Sequence, residues 1–219
     1  MKIAIDGPAG AGKSTVAKAI AAKMHINYLD TGAMYRAAAY AMLEQGIEPA
    51  DAARVVPALG TLDMTIEYNN QVQKVLVNGQ DVTPYIRTSR ISKGASDIAV
   101  IPQVRLKLVE IQRQVANEYD IVMDGRDIGT YVLPDADKKY FITASPRERA
   151  RRRCLEMRAS GEQADIDTIE KEMIARDKTD STREFAPLRQ ADDAIMVDTT
   201  KMDKERVVEW IISDITGGK

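Results

Sequence analysis

The chain has 219 residues, 44% hydrophobic and 29% charged, with a formal charge of −2, one cysteine and one histidine. That length and composition suit one globular unit with appendages. The slightly acidic balance argues against a nucleic-acid-binding protein as a whole, and the lone cysteine excludes an internal disulfide and a cysteine-built zinc site. No apolar run approaches the ~20 residues that span a bilayer, and no basic leader or apolar signal core precedes the first strand, so a cytoplasmic location is expected.

Lys2 to Asp6 reads as a short buried strand and Ser14 to Met24 as a helix. Between them, Gly7-Pro8-Ala9-Gly10-Ala11-Gly12-Lys13-Ser14 fills every fixed position of the phosphate-loop pattern G-x-x-x-x-G-K-[ST], in its required context. Glycines let the backbone turn its N–H groups toward phosphate oxygens, and the helix N-terminus adds partial positive charge. Lys13 is expected at the β- and γ-phosphates of a nucleoside triphosphate, and Ser14 at Mg²⁺. His25, just after this helix, reads as a surface or capping residue rather than a base.

Ile26 to Asp30 is a second short strand, and Ala33 to Glu44 an alanine-rich helix. Tyr35 and Arg36 therefore fall near the strand's carboxyl end, where ligands of open α/β sheets bind; the alternative is a core tyrosine and a solvated arginine. Leu62 to Tyr68 and Val72 to Val77 alternate apolar and polar residues around Asn69-Asn70, which reads as a β-hairpin. An extended piece at Gln80 to Val82 completes a small inserted sheet, ended by Pro84. Helices are expected over Arg87 to Ala99 and from Pro102 to about Glu118, the latter with Val104, Leu108, Ile111 and Val115 on its buried face.

Tyr119 to Asp124 is the next buried strand. Its terminal acid, Asp124, suits Mg²⁺ held directly or through water, and Gly125-Arg126-Asp127-Ile128-Gly129 follows. Lys139 to Thr143 is another strand. The helix from Pro146 to about Ala159 carries Arg147, Arg149, Arg151, Arg152, Arg153 and Arg158, with Cys154 as apolar filler. Without interleaved aromatics this run reads as arginines presented to a nucleotide or to solvent rather than as a nucleic-acid patch. After the polar turn Ser160-Gly161-Glu162, an amphipathic helix (Ile166, Ile169, Met173, Ile174) leads into Arg176 to Arg183, a polar segment that reads as a mobile, phosphate-facing lid. Asp193 to Val197 is the last strand, and Val207, Val208, Ile211, Ile212 and Ile215 share a face of the final helix. Alternating strands and helices predict an α/β fold: a P-loop three-layer α/β/α arrangement with a five-stranded parallel sheet, a small antiparallel β insertion and a helical lid.

The stretches IDGPAGAGKST, LDTGAMYR, SDIAVIPQVRL (96–106), MDGRDIGT and RDKTDSTREFAPL together resemble the bacterial cytidylate kinases, P-loop nucleoside monophosphate kinases that move the γ-phosphoryl group of ATP to CMP or dCMP. The hairpin insertion after Gly60 matches as well. The resemblance implies ATP as donor with Mg²⁺, the phosphates being held by the Gly7 to Ser14 loop, Thr15, Arg149 and Arg153. It implies a CMP site of Thr31, Tyr35, Arg36, Ser96, Arg105, Arg126, Asp127, Arg176, Asp180 and Arg183, with Ser96, Arg105 and Asp127 at the cytosine. Catalytic roles fall to Lys13, Asp124, Arg126, Arg176 and Arg183, and the metal to Ser14 and Asp124.

The same resemblance implies a single P-loop kinase unit over 1–219, with core 1–30, 119–154 and 188–219, a monophosphate-binding region 31–118 whose insertion spans about 60–86, and a lid 155–187. It implies a monomer with small-molecule partners, CMP and dCMP, and neither nucleic acid nor membrane. Lys178 and Thr179 stand where members differ in charge, and Thr31 where a serine also occurs. Kinases of UMP, dTMP or AMP are the nearest alternatives. A GTP-operated switch is another class: Thr200-Lys201-Met202-Asp203 fits its loose [NT]-K-x-D pattern, but no D-x-x-G follows the second or third strand.

Overall fold

The computed structural model describes residues 1–159 and 161–217, so Ser160 of the expected polar turn lies outside the described residues. In chain order the strands are β1 (Lys2–Asp6), β2 (Asn27–Asp30), β3 (Met64–Asn69), β4 (Val72–Val77), β5 (Gln80–Asp81), β6 (Ile121–Gly125), β7 (Lys138–Thr143) and β8 (Ile195–Asp198). The helices are α1 (Lys13–Met24), α2 (Thr31–Glu44), α3 (Ala52–Ala58), α4 (Ser89–Ile98), α5 (Pro102–Glu118), α6 (Pro146–Ala159), α7 (Ile166–Thr182) and α8 (Lys204–Thr216). Five strands form one sheet in the order β2-β6-β1-β7-β8, and β3-β4-β5 form a second. The chain divides into two compact units, Met1–His25 with Val122–Lys219, and Ile26–Ile121.

In the first unit, β1 runs parallel to β7 from Ile3↔Lys138 to Asp6↔Phe141, and β7 runs parallel to β8. Ile3, Ile5 and Ile142 are fully buried, as strands covered on both faces require. The carboxyl end of β1 thus delivers the chain directly into the glycine loop. Helix α8 packs on α1 through a face that buries Val207, Val208 and Ile211, with Ile212 and Ile215 at its margin. Between α6 and α7, Ala150, Cys154, Ile169 and Met173 form a small apolar cluster, so Cys154 is indeed filler. Ile174 is exposed, contrary to its expected place on the buried face, because it lies one step of ~100° beyond Met173. The polar stretch from Arg176 continues α7 without a break. Its hydroxyls bond back one turn, Thr179 to the Ala175 carbonyl, Ser181 to Asp177 and Thr182 to Lys178, which satisfies them inside the helix.

In the second unit, Asp30 starts α2 at Thr31, ahead of the expected Ala33, by accepting from the Ala33 N–H at 2.8 Å. Ala37, Ala38 and Ala39 are fully buried, and these small side chains let α4 approach. A Cβ on Gly94 of α4 would lie 3.0 Å from Pro49 Cγ and 3.3 Å from Ala39 Cβ. The hairpin closes one residue later than expected. Asn69 pairs with Val72, so the turn residues are Asn70 and Gln71, both left-handed at φ 50° and 64°. Helix α3 and the 3₁₀ turn Leu59–Thr61 were not expected from sequence; Asp51 caps α3 although Pro57 lies within it.

Candidate active site

The glycine loop is fixed by backbone geometry. Gly7 has φ 143°, and a Cβ there would stand 1.9 Å from the Ile142 carbonyl oxygen, so no other residue fits. Gly12, left-handed at φ 89°, opens α1 without a side-chain cap, and no acid occupies the first turn. The helix N-terminus therefore presents its N–H groups and partial positive charge to an anion. Lys13 is buried and donates to the Pro8 carbonyl at 2.7 Å. Burial first, and then the charge of Arg126, push its ammonium pKa down to about 7 against the pull of Asp124 and Asp6.

Ser14 Oγ donates to Asp124 Oδ2 at 2.7 Å, joining the loop to the end of β6. A hydroxyl and a carboxylate are hard oxygen donors, the chemistry Mg²⁺ takes while keeping its other positions for water and phosphate.

The helix α6 arginines divide by their partners. Arg149 is buried and fully engaged, donating to the carbonyls of Ala144 at 3.0 Å and Ala9 at 2.9 Å and to Asp177 at 2.6 Å. It braces the glycine loop against α7. Arg153, expected at the ATP phosphates, instead pairs with Glu156 at 3.3 Å on the exposed side. Arg152 has the place beside the loop: its Nη1 is 3.7 Å from where a Gly12 Cβ would stand, and it donates to Thr199 Oγ1 and to the Thr199 carbonyl. Both follow Arg149 by about a turn, so helical spacing alone does not distinguish them.

After β6, the chain brings four expected residues together. Arg126 Nε donates to Asp180 Oδ2 at 2.8 Å, Arg183 Nη2 lies 3.3 Å from Asp127 Oδ1, and Arg183 Nη1 is 3.7 Å from Asp180 Oδ1. Tyr131 packs edge-on against Phe185 with centroids 4.9 Å apart. Burial opposes ionisation of Asp180, but the charges of Arg126, Arg176 and Arg183 outweigh it and hold its carboxyl below the usual range. Asp6, which sequence reasoning did not single out, is buried and accepts from the Ile128 and Gly129 N–H groups. Burial, with Asp127 adding, pushes it up to about 7 although both N–H groups and Lys13 favour its charge.

The second unit assembles its own group. Asp30 Oδ2 accepts from Arg36 at 2.9 Å and from Arg87 at 3.3 Å, so the carboxylate that caps α2 also holds two arginines beside the buried Thr31. Arg87 had no sequence signal, since its partner is distant in the chain. Gln73 of the inserted sheet accepts from the Asp30 N–H at 2.7 Å. Arg105 is buried, its guanidinium carbon 5.4 Å from the Tyr35 ring centroid, and it donates to the Ala99 carbonyl. Ser96 bonds back to the Ser92 carbonyl at 3.4 Å within α4. The Thr200-Lys201-Met202-Asp203 stretch does local work instead of reading guanine: Asp203 caps α8 at the Arg206 N–H, and Thr200 Oγ1 donates to Asp198.

Residues 3–217 match the family described as cytidylate kinase. The chain is 48% identical over 213 residues to a cytidylate kinase of Desulfitobacterium hafniense, covering 97% of this chain and 91% of that one. It is 46% identical over 219 residues to a cytidylate kinase of Carboxydothermus hydrogenoformans, covering 100% and 98%. A cytidylate kinase of a Geobacillus species is 48% identical over 212 residues, covering 97% and 95%. Among solved structures, an uncharacterized protein from Eubacterium ventriosum has a TM-score of 0.55 at 16% identity, covering 99% and 98%. A gluconokinase from Sinorhizobium meliloti has a TM-score of 0.51 at 12% identity, covering 98% and 91%, and such likenesses concern the fold alone. The chain belongs to the cytidylate kinase family.

Proposed function

We propose that the protein transfers the γ-phosphoryl group of ATP to CMP or dCMP, giving ADP and CDP or dCDP. The observation that carries this reading is the Ser14–Asp124 pair beside Lys13 and the glycine loop, in a chain that belongs to this family over nearly its whole length. An oxygen of the monophosphate attacks the γ-phosphorus, and the bond to the β–γ bridging oxygen breaks in line. That attacking oxygen is already ionised at neutral pH, so no protein base is needed. What the protein supplies is alignment of two anions and neutralisation of charge spreading over the transferred group.

Lys13 and the loop N–H groups hold the triphosphate. Ser14 and Asp124 would hold Mg²⁺, which when bound neutralises phosphate oxygens. Arg36, Arg126 and Arg183 take the CMP phosphate; planar guanidinium groups suit that task because they bond phosphate two oxygens at a time. Thr31 and Tyr35 line the monophosphate pocket, and Arg176 and Asp180 serve the sugar and the transferring group. Asp127 accepts from cytosine N4, while Arg105 and Ser96 donate toward N3 and O2. Uracil reverses the N3 and position-4 pattern and meets acceptor against acceptor. The reading extends to a monomeric enzyme of the cytoplasm.

A coupled assay of ADP release, with CMP, dCMP, UMP, dTMP and AMP offered in turn, tests the proposal. The largest kcat/KM is expected for CMP or dCMP, and faster turnover of AMP or dTMP would overturn the substrate assignment. Light scattering in solution tests the monomer.

A further inference from the structure

Asp6 is not one of the phosphate-loop positions, yet it is buried at the very end of β1. Its two carboxylate oxygens divide two backbone donors, Oδ1 accepting from Ile128 N at 2.8 Å and Oδ2 from Gly129 N at 2.7 Å. These are the first N–H groups of the π turn Ile128–Val132, in which the Asp127 carbonyl accepts from Tyr131 N and Val132 N. The opening donors of such a turn have no partner within it and call for a cap. An aspartate in the N-cap place ordinarily bends its own carboxylate onto them. Asp127 occupies that place and makes no side-chain cap bond; its carboxylate faces Arg183 instead. Gly129 is pressed close, since a Cβ there would stand 3.5 Å from Asp6 Oδ2 and 3.2 Å from Lys139 Cδ.

We propose that Asp6 is a positioning residue for base selection: it caps the Ile128–Val132 turn in place of Asp127 and so keeps the Asp127 carboxylate turned toward the substrate base. This rests on the reading of Asp127 as the cytosine acceptor. Without Asp6, the carboxylate of Asp127, which stands in the N-cap place of the turn, can turn back onto the vacant N–H groups. Discrimination is then lost although Asp127 is still present. An asparagine at position 6 sets up the same exchange, because its amide accepts from one N–H and turns an NH₂ group against the other.

The test measures kcat/KM for CMP and UMP, and KM for ATP, in Asp6→Asn, Asp127→Asn and the double variant. Asp6→Asn is expected to lower the CMP-over-UMP ratio about five-fold or more, chiefly through a raised KM for CMP, with KM for ATP changed about two-fold or less. Its effect on the ratio should vanish in the Asp127→Asn background, since both changes silence one acceptor. Asp6→Ser, whose hydroxyl can accept without fixing a donor against the second N–H, should give an intermediate ratio. If Asp127→Asn shifts the ratio and Asp6→Asn does not, the positioning role is wrong and the cytosine assignment stands. An unchanged ratio in Asp127→Asn removes the cytosine assignment itself. Equal losses on both pyrimidines and on ATP, or failure of both position-6 variants to fold, make Asp6 a structural cap only and overturn the proposal.

Discussion

Arg183 and Asp127, two groups assigned to the substrate, are paired with each other at 3.3 Å, their side chains only 5% and 7% exposed. Removing the arginine therefore takes a charge partner from a carboxylate in a poorly solvated place. Arg183→Ala is expected to slow transfer strongly and also to destabilise the fold, by about 3–5 kcal/mol for a broken buried pair. Arg176 is exposed, so Arg176→Ala should slow transfer with little change in Tm. Thermal denaturation alongside turnover checks both, and an Arg183→Ala protein as stable as the parent would show that the pair contributes nothing to folding.

Asp127→Asn should lower the CMP-over-UMP ratio of kcat/KM about ten-fold or more, because a polar contact to a base edge is worth roughly 1–3 kcal/mol and the amide can donate to uracil O4. Equal depression on both substrates would point to a role at the metal instead.

Lys13→Ala should reduce kcat by about 10² or more while CMP affinity changes little, since the ammonium neutralises charge that develops only during transfer. The buried side chain and its bond to Pro8 hold it at the triphosphate loop. Near-normal turnover would sink the assignment of the loop.

Asp6 gives a pH signature in stability. Its carboxyl is raised from 3.8 to about 7 by burial, so across that window the folded chain holds a proton that the unfolded chain has released. Stability contributed by this group therefore falls as pH rises from about 4 to about 7, by an amount on the order of a few kcal/mol. Asp6→Asn lacks the titration, so its stability relative to the parent should improve over the same range. Urea unfolding at the two ends checks this, and parallel pH profiles would count against a raised Asp6.

Much of this architecture is legible because local signals coincide with tertiary demands. Helix α5 spans Pro102–Glu118 as read, since proline at the first position fixes its start. The glycine loop is legible for a stronger reason: Gly7 has no tolerated substitute against the Ile142 carbonyl. Helix α3 was hidden because Pro57 argues against a helix that Asp51 nonetheless caps. The continuation of α7 was hidden too, because Arg176 to Thr182 is polar throughout and carries no 3.6-residue period; what ties it down is the Arg126–Asp180 pair, a contact far along the chain. Arg87 and Asp6 could not be found by spacing, since each meets a group far along the chain. Arg152 was indistinguishable from Arg153 until α6 had a neighbour.

Five of the six arginines of α6 are paired with carboxylates, while Arg158 donates to the Ala164 carbonyl. Arg147 is matched by Glu170 at 2.9 Å, Arg149 by Asp177 at 2.6 Å, Arg151 and Arg152 by Glu148 at 2.7 and 2.9 Å, and Arg153 by Glu156 at 3.3 Å. The bonds from Arg151 and Arg152 hold the Glu148 carboxyl down to about 2, so that match persists well into acid. A polyanion approaching this helix would have to exchange one carboxylate for another anion rather than neutralise bare charge. Such an exchange returns little free energy and little salt dependence. On a heparin or cation-exchange column the protein should consequently elute early, as a near-neutral body and not as the basic one its arginine count suggests.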